Sequence, residues 1–107
     1  MPLIKKITIK NSVILQLQTD TFNFSDLIDF EYDLVNEIAD IKKNFRILID
    51  LNNLSNVPSS IVSILLKIFR VYQKDYKIKV LANEKAYRIF SILNIITLLN
   101  VELREKI

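Results

Sequence analysis

Ser59 and Ser60 stand directly behind Pro58 at the start of an apolar run, after the strand-like segment 45–51 and a loop rich in asparagine. Hydroxyls at a helix start lie beside backbone N–H groups that lack intrahelical partners, and such a position favours anionic groups. Two readings follow. Either one serine simply caps the helix, a role worth about 1 kcal/mol, or the hydroxyls and free N–H groups together form a site for an external group. Asn52, Asn53 and Asn56 add amides to the loop, and Asp50 at the strand end can accept from loop N–H groups. In an open α/β sheet, ligands and partners meet the carboxyl ends of the strands. That places Asp50, Asn52, Asn53, Asn56, Pro58, Ser59 and Ser60 on the expected contact surface. Val62, Leu66 and Phe69, on the flank of the following helix, either pack against a neighbour or extend that surface as an apolar strip.

The rest of the composition narrows the chemistry. The chain has 107 residues, no Cys, no His and no Gly. Without Cys or His there are no disulfides, thiol nucleophiles, imidazole bases or common zinc ligands, so no metal or other cofactor is expected. Without Gly, where average usage is about 7%, phosphate-cradling glycine loops are excluded. Asn44 and Asn94 then become the expected left-handed residues at helix ends, because asparagine tolerates that conformation best after glycine. The carboxylate pairs Asp29/Asp33 and Asp33/Glu37 read as solvated helix acids. A small acid/base catalyst using Asp50 with Lys or Tyr is the competing enzyme reading; a non-enzymatic module is the one we expect.

The net charge of +3 conceals a polarity: residues 20–40 hold Asp20, Asp26, Asp29, Glu31, Asp33, Glu37 and Asp40 and no base, whereas residues 41–107 hold twelve bases and five acids. Solvated helix faces account for this, and so would an acidic and a basic face that steer a charged protein or a second copy of the chain. The bases are dispersed and no aromatic-basic motif is present, so nucleic acid is not an expected partner. Nothing resembles a signal peptide, and no apolar run approaches the ~18 residues of a membrane span, which makes a cytoplasmic protein without direct membrane insertion the expectation.

These residues need a scaffold, and the periodicity supplies one for a single domain spanning 1–107, with its core at about 5–103. Residues 5–10 and 13–19 alternate around Asn11-Ser12 as a hairpin, with Ile7, Ile9, Val13, Leu15 and Leu17 expected toward the core. Ser25 is the expected cap of a helix over about 26–43, with Leu27, Phe30, Leu34, Ile38 and Ile41 inward, Ile28 and Val35 widening the stripe, and Lys42-Lys43 closing it. Segment 45–51 is apolar enough for a central strand. A helix follows from Pro58 to about Lys74, with Ile61, Ile64, Leu65, Ile68 and Tyr72 inward. Segment 76–82 is the next strand. Asn83 caps a helix over about 84–93 with Ala86, Ile89, Phe90 and Leu93 inward, and Val101-Glu102-Leu103 forms a last edge strand. The order is β-β-α-β-α-β-α-β, and right-handed crossovers make the later strands parallel. The expected class is α/β, with a mixed sheet of four to five strands.

That order, with Ile47-Leu48-Ile49-Asp50-Leu51 running through a short loop to Ser59-Ser60, resembles the STAS domain of anti-sigma factor antagonists and sulfate transporter tails. The family places Asp-Ser-(Ser/Ala/Thr)-Gly at the head of an apolar helix; here Pro58 replaces the Asp and Ile61 the Gly. The resemblance covers about residues 5–103. It implies a protein-binding module that docks an anti-sigma factor of the serine-kinase type through the 52–60 loop and the next helix, with Ser59 at the phosphorylated position and Ser60 beside it. It equally admits a constitutive STAS subunit bound to the ATPase of a phospholipid-transport ABC system. A structural homo-oligomer, for instance a homodimer, paired through the first hairpin or the Val62/Leu66/Phe69 strip, is the third alternative. Many STAS domains carry one more helix where residues 104–107 lie, which leaves one side of the sheet here expected to be less covered.

Overall fold

The structure, a computed structural model, describes residues 3–104. Alternating apolar residues build β1 (Ile4–Ile9) and β2 (Ser12–Leu17), which pair antiparallel. Three β-α units follow: α1 (Phe24–Ala39) and β3 (Arg46–Asp50), α2 (Ser59–Tyr72) and β4 (Lys77–Ala82), α3 (Glu84–Ile92) and β5 (Val101–Leu103). The five strands lie in sequence order, and β2 to β5 are parallel. The α/β class, the mixed five-stranded sheet and the three helices match the expectation.

Strand order decides where the helices go. Each crossover steps one strand in the same direction, so crossovers of one hand place all three helices on one face. Burial agrees: Val13, Leu15, Ile47, Ile49 and Val80 are fully buried among Phe30, Leu34, Ile38, Ile61, Leu65 and Phe90 from the helices. Each such side chain contributes about 1.5–3 kcal/mol on leaving water. The opposite face carries Ile7, Ile14, Leu48 and Lys79, which are only half-buried. Apart from Asp50 and Leu81, buried at its carboxyl end, that face is open, whereas parallel sheets usually have both faces covered.

The hairpin departs from expectation in an instructive way. Its loop is Lys10-Asn11, so Ile9 pairs with Ser12 and Ile7 with Ile14. Partners in register share a face, and each pair joins an odd number to an even one. Val13, Leu15 and Leu17 thus face the helices opposite Thr8, Lys6 and Ile4, while Ile7 and Ile9 lie on the other face, Ile9 at 54% exposure. Lys6 uses its helix-side position to reach Glu37 of α1 at 3.7 Å.

Local chemistry sets the helix ends. Asn23, not Ser25, caps α1: its side chain accepts from the Asp26 N–H at 2.9 Å while the Asp26 carboxylate accepts from the Asn23 N–H at 3.0 Å, a reciprocal capping box. Ser25 instead donates to Asn23 Oδ1. The helix ends at Ala39 with no base in its last turn, so Lys42-Lys43 do not close it. Asn44 and Asn94 both adopt positive φ (76° and 57°), Asn94 directly after the α3 cap as expected, but Asn44 in the turn into β3 and not at the end of α1; Lys10 at 53° and Asn100 at 49° join them. Ile28, expected to widen the α1 stripe, is 61% exposed, and Leu93, expected inward on the last helix, is its C-cap and 49% exposed.

Candidate functional site

At the carboxyl end of β3, Asp50 is 1% exposed. Its register with Gln16 and Leu81 puts the side chain on the helix-free face. There the carboxylate accepts three donors. The Asn52 N–H reaches Oδ1 at 2.8 Å, and Gln16 Nε2 and Arg104 Nη1 reach Oδ2 at 3.4 and 3.0 Å. A buried carboxylate is tolerable only with such partners. Asp50 is therefore an anchor beneath the loop and does not itself present a contact surface, which corrects its expected place there.

The loop above it is held from three sides. Asn53 Nδ2 donates to the Leu17 carbonyl at 3.1 Å, and Ser55 donates through both N–H and Oγ to the Asp20 carbonyl at 2.8 Å. Asn83 does two jobs. Its Oδ1 caps α3 by accepting from the Ala86 N–H at 2.8 Å, while its Nδ2 donates to the carbonyls of Asn52 and Leu54 at 2.9 and 2.7 Å. Leu54 is buried in the core and pins the loop's middle. One acceptor is left over: Asn52 Oδ1 is buried and meets no donor.

Beyond this clamp the chain turns into α2 without a side-chain cap. Pro58 occupies the cap position at φ −64° and ψ 147°, and no side-chain acceptor meets the first turn. The expectation that Ser59 or Ser60 caps the helix is corrected: they are its first two helical residues, one step too late to cap. Ser59 is exposed and Ser60 half-buried. Exposed Asn53, Ser55 and Asn56 lie in the same loop, so the structure brings Asn53, Asn56, Pro58 and Ser59 together at one end of the sheet. Val62 and Leu66, half-buried, pack against the core, and Phe69 at 6% exposure belongs to it. The apolar strip on α2 is thus core-facing, and Phe69 is not part of a surface.

Arg104, Gln16 and the second role of Asn83 were not foreseen from sequence. Cap chemistry singled out Asn83 but could not reveal the loop carbonyls 29 and 31 positions away. Arg104 comes beside Asp50 only because β5 follows β4 in the sheet. Among the described residues, no cluster of His, Cys, Asp or Glu could hold a metal ion, and no helix is long and apolar enough to cross a membrane. No protein-family model matches the chain, and no curated protein matches it.

Proposed function

We propose that the chain is a non-enzymatic protein-binding module, similar in role to STAS-type anti-sigma factor antagonists, and that it docks a protein partner through the 52–60 loop and the first turn of α2. The observation that carries this reading is the contrast within a few residues: a loop clamped by Asp50, Asn53, Ser55 and Asn83, leading to an exposed, uncapped helix start. A rigid surface loses little entropy on binding. The uncapped turn keeps polar groups available for a partner.

In the regulated form of this reading, Ser59 is the switch. A phosphate there adds about −1.5 to −2 charges to the centre of the docking surface, and a partner fitted to the neutral loop is expelled by repulsion and desolvation. Ser59 is exposed, as a residue open to a kinase has to be. Affinity capture from the source cell with the wild-type chain and with Ser59→Asp is the test. We expect a partner retained by wild type and lost with Ser59→Asp. Equal retention by both removes the switch, and a wild-type bait that retains no protein removes the docking role.

A further inference from the structure

Two exposed patches outside the loop complement each other. On the helix-free face of the sheet, Ile7, Ile9, Ile14 and Leu48 form an apolar area. Around it on the same face stand Lys5, Arg46, Lys77 and Lys79. Arg46 and Lys77 are direct register partners, and like charges placed side by side on a sheet oppose each other. Lys79 lies 3.9 Å from Glu102, but Lys5, Arg46 and Lys77 form no ion pair among the described residues. An open, mostly parallel sheet with an apolar centre and a cationic border calls for an acidic amphipathic helix.

The chain carries such a helix. Phe24, Ile28 and Tyr32, at four-residue steps on α1, are 80%, 61% and 67% exposed. A shallow groove lined by Ile28, Glu31, Tyr32 and Val35 runs along the row. The helix holds Asp26, Asp29, Glu31, Asp33 and Glu37 and no base. Glu31 is engaged by Lys67, Glu37 by Lys6 and Asp26 by the cap, which leaves Asp29 and Asp33 to flank the row. From Phe24 to Tyr32 the row is about 12 Å long at 1.5 Å per residue. The apolar span from β1 to β3 is about 10 Å at ~4.8 Å per strand.

We infer that the helix-free face of one copy takes the Phe24/Ile28/Tyr32 face of α1 from a second copy, with Lys5, Arg46, Lys77 and Lys79 opposite Asp29 and Asp33. The two patches lie on opposite sides of the molecule, so one chain cannot join its own. Pairing identical patches would set bases against bases or acids against acids, which selects the head-to-tail arrangement. Head-to-tail contacts grow into rings or filaments.

The test uses the whole chain and two surface variants: Ile28→Asp with Tyr32→Asp on α1, and Lys77→Glu with Lys79→Glu on the sheet. Circular dichroism checks that each is folded, and the single changes Tyr32→Asp and Lys77→Glu replace a pair that is not. Sedimentation from micromolar to near-millimolar concentration should show the wild-type mass rising past twice that of the monomer. Each variant alone should stay monomeric. An equimolar mixture should form a 1:1 dimer that grows no further, because it retains one intact α1 face and one intact sheet face. A wild type that is monomeric throughout, a variant that still assembles alone, or a mixture that stays monomeric overturns the proposal.

Discussion

Two helices begin side by side at the carboxyl end of the sheet, and they begin differently. At α3, Asn83 satisfies its own first turn and two carbonyls of the neighbouring loop with one side chain. At α2, Pro58 offers no side-chain acceptor, and the serines behind it sit inside the helix. Both starts follow a parallel strand, and only one is closed. The closed start is tied into the fold, whereas the open one has no side-chain acceptor on its first turn. In the docking role proposed above, the clamp lies next to the surface that it holds in place.

Asn83→Ala strikes this contrast hardest. It removes a cap worth about 1 kcal/mol and leaves two partly buried carbonyls without a donor, at about 1–3 kcal/mol more. We expect a loss of about 3 kcal/mol in chemical denaturation, with faster amide exchange across 51–58. A loss under about 1 kcal/mol would show that the loop holds without its clamp. Pro58→Asn works from the other side by giving α2 the kind of cap its neighbours have. The gain should be about 0.5–1 kcal/mol, after allowing for the stiffness that proline lends the unfolded chain. A rise in melting temperature reports it, and no rise means the first turn is already satisfied. Ser59→Ala should do least, within about 0.5 kcal/mol of wild type, since its side chain caps nothing. A larger loss would restore to Ser59 the structural role denied it here.

Much of the fold could be read from periodicity. The element order, the central β3, the short edge strand β5, the Asn83 cap and the left-handed Asn44 and Asn94 all came from local patterns, and local patterns survive folding. What failed was relational. The hairpin residues Ile7 and Ile9 were assigned to the core because alternation names two faces without saying which odd residue meets which even one; the two-residue loop decided that. Ser25 lost the α1 cap to Asn23 because Asp26 completes a box only with the earlier residue. In the site, loop and serines were visible as a strand-to-helix junction. Arg104 and Gln16 converge on Asp50 from 54 and 34 positions away, and no local signal carries such a distance.

The strand order has a consequence for how the chain is made. Every strand pairs with the one synthesised just before it, so none has to be threaded between two that have already joined. The hairpin can form first, and each later unit then extends a finished edge as it leaves the ribosome. Closure at the site waits longest, because the Arg104 grip on Asp50 cannot exist until the last strand is in place. A chain assembling in that order would complete its sheet one edge at a time and its Asp50 clamp last.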